Sequence, residues 1–532
     1  MTDLPARATA ISRRDMLRLG ATGGVLLGGP ALLGTPGIRP ARSAPDLLRR
    51  PSGLGAPPVS GLHLTFGDNP SSEMVVSWTT YEPIRAPRVL LGTAGDGIGT
   101  TVQADTHSYT DGASNRQVAV HSATIRGLLP DSDYLYAALH DGAAAEFGTI
   151  RTAPAGRTRF TFTSFGDMAA PVLTHRDAAG GSWGNDAFGT PNSVDVVDGI
   201  ERVAPLFNVL NGDLCYANLA ADRLRTWAGF LDNISRSARH RPWMPAAGNH
   251  ENEAGNGPVG YSAFQTYFPV PNPGADGEFA GLWYAYTVGN VRFVHLQNDD
   301  VCLQDAGNSY VRGYSAGGQR AWLERELARA RDDDSTGWIV VCMHQVAIST
   351  ADKFNGADLG IRHSWLPLFD AYGVDLVLCG HEHHYERSHP IRGAEPNSTL
   401  TPIPRATETA IVEAGRGAVH LVIGGGGTSI PSNSLLTPDR RCRVITKVSA
   451  KSEAGGKRTP TYVWEKADWS AVRDSAHPYG FVACTVDGSA RGARTTIDVT
   501  YHAVIGPGGQ LSAVDSFTLT KPALRTGRFP ES

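Results

Sequence analysis

The sequence predicts an α/β domain over residues 158–525, preceded by a smaller all-β sandwich over 57–153. Three observations lead there. Between 57 and 153 short runs of alternating apolar and polar residues are separated by Gly, Asp, Asn and Pro turns, the pattern of half-buried antiparallel strands. From Arg159 onward the apolar runs lose that alternation and are interleaved with a helical pattern, as strands buried on both faces require. The chain also holds 61 Gly and 34 Pro in 532 residues with only 19% charged residues, which suits strands joined by many loops and is too apolar for a disordered chain. A net charge of −4 without basic runs argues against a nucleic-acid binder. Outside the N-terminus no apolar run is long enough for a multi-span membrane protein.

Residues 1–44 form the first element. SRRDMLR (12–18) leads into the glycine-diluted apolar stretch LGATGGVLLGGPALLG, and small residues gather near Ala41, Ser43 and Ala44. A charged start, a short soft apolar segment and a small-residue cleavage region read as an export signal, and adjacent Arg13 and Arg14 make it resemble a twin-arginine signal. The expectation is a protein that is secreted, periplasmic or associated with the cell envelope, with no stable membrane span once the signal is removed.

The all-β unit follows with LHLTF (62–66), MVVSWTT (74–80), RVLLG (88–92), VAVHSATI (118–125) and YLYAAL (134–139), punctuated by turns such as GDNP (67–70) and GDG (95–97). Trp78 on an early strand, with Leu129, Pro130, Tyr134 and Tyr136 before a late one, resembles a fibronectin type III-like domain. Its aromatics are expected in the core, and it carries no chemistry of its own.

In the α/β unit, RFTFTSF (159–165), FNVL (207–210), VRFVHL (291–296), WIVVCM (338–343) and VDLVLC (374–379) read as buried strands. QRAWLERELARARDD (319–333) reads as an amphipathic helix with Leu323, Leu327 and Ala330 on one face. FVACTVDG (481–488) and TTIDVTYHAV (495–504) return to β alternation and close the domain.

The ends of these segments are rich in donors. They run into Asp167, into Asp213 and Tyr216, into Asn249, His250 and Glu251, into His344, and into His381 and His383. Ligands gather at the carboxyl ends of strands in α/β sheets. A lone Gly-Asp is usually a turn and a lone buried His a hydrogen-bonded core residue, but the whole series in this order points to a metal site.

The series resembles the calcineurin-like metallophosphoesterases and, within them, the purple acid phosphatases. Their motifs GDx, GDxxY, GNH[DE], VxxH and GHxH stand here as GDM, GDLCY, GNHE, VCMH and GHEH, and SWTT (77–80), WYAY (283–286), GHEHHYERS (380–388) and HLVIGGGG (420–427) extend the likeness. Most metallophosphoesterases place a His two residues after the first Asp. Here that position is Ala169, and Tyr216 supplies the replacement ligand found in purple acid phosphatases.

The resemblance implies a four-layer αββα sandwich. It implies that Asp167, Tyr216 and His383 hold Fe(III), that Asn249, His344 and His381 hold a divalent Fe, Zn or Mn, and that Asp213 bridges them. Carboxylate and phenolate are hard donors suited to Fe(III), whereas an amide oxygen with two imidazoles suits a divalent ion. The implied reaction is hydrolysis of small phosphate monoesters by attack of metal-bound hydroxide on phosphorus. A phosphodiesterase or nucleotide pyrophosphatase on the same metals is the alternative. A non-catalytic cell-surface binding module is the alternative of another class.

By the same resemblance His250 contacts the phosphoryl oxygens or the leaving group, while Glu251, Tyr385, Glu386 and Arg387 support the ligand loops. Plant-type members carry His residues between the VxxH and GHxH motifs that help protonate the leaving group. This chain has Asp352 and Lys353 near that place and His363 downstream, so the proton donor stays open. The loop 169–192, with His175 and Trp183, is expected near the site mouth. GGGG (424–427) is expected to be a tight turn, and Cys215 and Cys342 buried thiols.

Overall fold

Strands punctuated by turns close into two four-stranded antiparallel sheets at the N-terminal end of the chain. One runs Ser60–Phe66, Met74–Thr80, Gln117–Ile125, Asp105–Thr110, and the other Gly97–Gln103, Arg88–Thr93, Asp133–Leu139, Glu146–Arg151. The computed structural model describes residues 56–171, 175–176, 182–183, 188–271, 275, 277–304, 312–450, 458–488 and 494–523. The expected signal at 1–44 lies outside the described residues. Trp78 and Tyr136 are fully buried between the two sheets, but Leu129 is 66% exposed. Tyr134 is only partly buried and accepts a hydrogen bond from the Leu129 amide at 2.8 Å, so this corner is pinned by a polar contact rather than packed.

The larger unit is built on two seven-stranded sheets. The first runs Trp243–Ala246, Phe207–Asn211, Phe160–Phe165, Gly480–Asp487, Arg494–Gly506, Gln510–Pro522, Ile411–Glu413. The second runs Tyr284–Val288, Val291–His295, Trp338–Met343, Leu376–Cys379, Val419–Ile423, Tyr385–Ser388, Ser470–Asp474. They face each other across an aromatic core: Phe162 meets Phe293 edge-on at 5.0 Å, and Tyr385 stacks on Tyr501 at 4.0 Å. The helix Asn192–Val203 covers the outer face of the first sheet. Gly318–Asp332 and the short Leu359–Ser364 and Leu366–Tyr372 cover the second, burying Leu323, Leu327, Ile361 and Trp365. The order of layers is helix, sheet, sheet, helix, as the resemblance implies.

What positions the site is strand direction. In the first sheet Phe160–Phe165, Phe207–Asn211 and Trp243–Ala246 are mutually parallel, and in the second Val291–His295, Trp338–Met343 and Leu376–Cys379 are. Parallel neighbours deliver their carboxyl ends to one edge, so loops far apart in sequence meet there.

The N-terminal sandwich is joined to this unit by a shared apolar core and by polar ties. The helix Arg223–Ala238 packs against the strand Ser60–Phe66. His63 Nε2 lies 2.8 Å from the Tyr267 carbonyl, and Arg223 pairs with Asp111 at 3.3 Å. Among the described residues no helix is long and apolar enough to cross a membrane.

Candidate metal centre

Three of the strands end in turns tight enough to force a donor into an unusual backbone conformation. Asp167, Asp213, Tyr216 and His381 have φ of 58°, 51°, 58° and 70°, the left-handed region that costs a non-glycine residue of order 1–3 kcal/mol. Neighbouring loops hold them there. The Asp167 amide donates to the Gly212 carbonyl at 3.0 Å and its carbonyl accepts from Thr428 at 3.2 Å. The loops approach so closely that glycine is required beside them: a Cβ at Gly380 would stand 2.5 Å from Asp167 Oδ2, and one at Gly248 would run into the Asp213 carboxylate. The GGGG run has a related role. A Cβ at Gly424 would stand 2.8 Å from Asp167 Oδ2, and the Gly426 amide donates to the Gly166 carbonyl at 2.9 Å, so these glycines let the donor loops pack together.

The buried donor atoms fall into two groups. In one, Asp167 Oδ1, Tyr216 Oη and His383 Nε2 are each 3.0 Å from the other two. In the other, Asn249 Oδ1 is 3.0 Å from His344 Nε2 and 3.1 Å from His381 Nδ1, and the two ring nitrogens are 3.2 Å apart. Asp213 Oδ2 lies 3.1 Å from His344 Nε2. One atom from each of Asp213, His344 and His381 lies within 4.8 Å of the others.

The far side of each ring shows what these near sides carry. His344 Nδ1 and His383 Nδ1 each sit 2.6 Å from a backbone carbonyl, of Asn211 and Ile430, which can only accept. Those nitrogens therefore hold the hydrogens, and in the neutral rings the lone pairs of Nε2 face the cluster. Three acceptors converge on one point in the second group, and three atoms share the single Tyr216 hydrogen in the first. Such crowding of lone pairs is repulsive without positive charge, and orienting a ligand His through its other nitrogen is how metal sites are built. The residues fit a pair of cations.

Charge tells the same story. Burial works against ionisation of Asp213, yet His344 and His250 hold its carboxyl well below the usual range. Burial opposes protonation of His344, but Asp213 and Asp167 outweigh it and lift the imidazole to about 10. Burial and His344 push His381 well below its ordinary value. Burial and Asp167 push the Tyr216 phenol well above its own. The site draws in positive charge, and a proton on His344 supplies only part of what a metal would.

A cleft of about 300 Å³ opens over Asp213, Tyr216, Asn249, His381 and His383. His250, on the short turn Asn249–Glu251, lines it with Nε2 4.0 Å from Asp213 Oδ2, and Asn218 Oδ1 lies 2.9 Å from Nδ1. Phe188, from the end of the loop 169–192, stacks on the Tyr216 ring at 4.8 Å. The side chains of His175 and Trp183 lie outside the described residues.

The supporting residues divide. Glu251 reaches back to accept from the amides of Gly248, Asp213 and Leu214 at 2.7, 2.9 and 2.8 Å. Burial and Asp213 push its carboxyl up to about 8, while these donors favour the charged form. Glu386 accepts from the amide and hydroxyl of Thr350 and from Ser470, tying the loop after His344 to the strand after His383. Tyr385 and Arg387 both bond Asp515, and Arg387 lies over the Phe517 ring, so they clamp one sheet to the other behind the site. The structure does not bring Asp352, Lys353 or His363 to the cleft. Lys353 and His363 are exposed, and none of the three lines it; the same stretch presents Phe354 and Asn355 instead. Asn218, Gln304 and Asn355 are polar lining residues that no motif or spacing in the sequence singles out. Cys215 and Cys342, like the other four cysteines, are buried.

Two facing mixed sheets with a two-group donor cluster at the ends of their parallel strands define a metallophosphoesterase. Residues 162–385 match the family described as calcineurin-like phosphoesterase, and residues 59–162 match the purple acid phosphatase N-terminal domain. The chain belongs to the purple acid phosphatases. It is 56% identical, over 98% of both chains, to an uncharacterized protein of Mycobacterium tuberculosis. It is 27% identical to a purple acid phosphatase of Ipomoea batatas, covering 72% of this chain and 74% of that one. The structure of a purple acid phosphatase from yellow lupin (Lupinus luteus) seeds shares the fold, with a TM-score of 0.64 at 21% identity over 89% of this chain and 78% of that one.

Proposed function

We propose that this protein hydrolyses small phosphate monoesters at a dinuclear centre. Asp167, Tyr216 and His383 hold Fe(III), Asn249, His344 and His381 hold a divalent Fe, Zn or Mn, and Asp213 lies between them. The observation that carries this is the division of the donors: one group offers a carboxylate and a phenol, the other an amide and two imidazoles. When bound, such a metal pair activates water and neutralises charge on the transferring phosphoryl group.

The chain's own residues do the rest. Asn218 accepts from Nδ1 of His250 and so aims Nε2 at the cleft; burial lowers the pKa of this imidazole, so a proton that Nε2 takes up is readily given to a phosphoryl oxygen or to the departing alkoxide. Arg223 adds a guanidinium to the cleft wall and is held by Asp111 and by the Ala254 carbonyl. Phe188, Leu219, Phe354 and Ile430 form apolar walls that keep water from the reacting atoms and favour a compact leaving group. A cleft of about 300 Å³ is at the small end of ligand sites, which supports a monoester over a diester or nucleotide pyrophosphate. The intact donor set argues against a binding module without catalysis.

Relative kcat/KM on an aryl phosphomonoester, a phosphodiester and a nucleoside diphosphate, measured on protein of known metal content, tests this. Preference for the monoester supports it. Preference for the diester reassigns the substrate, and metal-loaded protein that turns over none of them sinks the enzymatic reading. Two zinc ions and no iron would sink the Fe(III) assignment alone. Export through the twin-arginine route belongs to the same proposal and rests on Arg13 and Arg14. Replacing both with Lys should leave the protein inside the cell.

A further inference from the structure

Of the three imidazoles in the donor cluster, two are oriented by backbone carbonyls and one by a side chain. His381 Nε2 meets Gln304 Oε1 at 2.7 Å. That contact is part of a closed ring. Gln304 Nε2 donates to Asn355 Oδ1 at 2.9 Å, and Asn355 Nδ2 donates to the carbonyl of His381 itself at 2.8 Å.

The direction of every bond in this ring follows from one atom. The His381 carbonyl can only accept, so Asn355 presents its NH2 there and its oxygen to Gln304. Gln304 must then give its NH2 to Asn355 and its oxygen to His381. An oxygen at 2.7 Å requires hydrogen on His381 Nε2, which leaves the lone pair on Nδ1, facing Asn249 and His344. Gln304 is itself anchored from below: Asp358 Oδ2 accepts from the amides of Leu303 and Gln304 at 2.8 and 2.9 Å, and Asp358 Oδ1 accepts from Gly360 at 2.7 Å.

We propose that Gln304 and Asn355 are positioning residues that fix the tautomer of His381 and thereby set the affinity of the divalent half of the centre. This rests on His381 being a ligand there. The ferric group has no part in the ring, since His383 is oriented by the Ile430 carbonyl, so the two metals should respond differently to its loss.

The experiment titrates Zn2+ or Mn2+ into protein stripped of its divalent ion, following heat of binding and the visible band of the Tyr216–Fe(III) pair together. Gln304→Leu should weaken divalent binding about 10- to 100-fold, the usual effect of removing the partner of a ligand His, while the band stays in place. Gln304→Glu keeps an acceptor at Nε2 and should bind within about threefold of the parent, a rescue that a merely structural role would not give. Asn355→Ala frees the Gln304 amide to turn over and should fall between the two; it carries the test if Gln304→Leu does not fold. Unchanged divalent affinity in both Gln304→Leu and Asn355→Ala overturns the proposal, as does loss of the ferric band together with the divalent ion. Parent protein that takes up no divalent ion at all overturns the reading of the site itself.

Discussion

The two donor groups are equally buried and built at the same edge of the same sheets, yet they are chemically unlike. Asp167, Tyr216 and His383 bring two groups that can carry negative charge, and their phenol stays protonated until a strong cation displaces its hydrogen. Asn249, His344 and His381 bring none, and their field comes from Asp213 alongside. Their surroundings differ too. The first group is capped by rings, with Phe188 on Tyr216 and Phe354 4.8 Å from His383. The second opens onto polar side chains, Gln304 and Asn355. One backbone plan thus makes a charged half lined by rings and a neutral half lined by polar side chains.

The largest effect should come from the neutral half. His344→Ala removes a donor of this half whose Nδ1 is held by the Asn211 carbonyl, and turnover should fall to background with the visible band retained. Loss of the band as well would mean the halves are not separable. His250→Ala removes none of the donor atoms, though its ring packs on Tyr216 at 4.7 Å, and should lower kcat by about 10²-fold, as loss of a proton donor does, with metal content unchanged. A rise in KM alone would make His250 a binding residue. Tyr216→Phe should cost turnover less than either, yet abolish the visible band, because the phenol oxygen is what distinguishes the charged half. A band that survives in this variant would break the assignment.

The donors were legible in the sequence because each lies on a short loop directly after an apolar strand, where local pattern and local structure coincide. Trp338–Met343 spans the same residues as the expected strand, and its His344 follows immediately. Residues that reach the site through folding were not legible. Gln304 meets His381 from 77 positions away, in a segment without periodicity. Asp352 and Lys353 lay in the right segment, but the chain turns at Lys353, which has a φ of 57°, and Phe354 and Asn355 line the cleft instead. The strands Gly97–Gln103 and Asp105–Thr110 escaped for a simpler reason: they are largely exposed and polar, so no buried face marks them.

The halves also differ in how they are tied to the N-terminal sandwich, and pH offers the finest test of that difference. The loop that carries Asn249 continues to Glu253, which is fully buried beneath the helix Arg223–Ala238. Its carboxyl accepts from Trp227 Nε1 at 2.7 Å and from Asn256 Nδ2 at 2.5 Å, while Asn256 Oδ1 accepts from the Gly112 amide of the sandwich. Burial pushes this carboxyl up to about 7, against the pull of Trp227 and Arg223, from an ordinary value of 4.5. Between those two values the folded protein keeps a proton that the unfolded chain releases. Stability contributed by Glu253 is therefore complete below pH 4.5, declines as pH rises towards 7, and is lost above it. At about 1.4 kcal/mol per unit, the change across the window amounts to a few kcal/mol at most. Gln at this position is neutral at every pH and keeps an oxygen for Trp227. Glu253→Gln should therefore flatten this part of the stability profile and leave the variant more stable than the parent near pH 7, as read by urea unfolding at pH 4.5, 5.5 and 7. Parallel profiles for parent and variant would show that Glu253 stays charged throughout, and that the neutral half rests on a buried ion rather than on a proton.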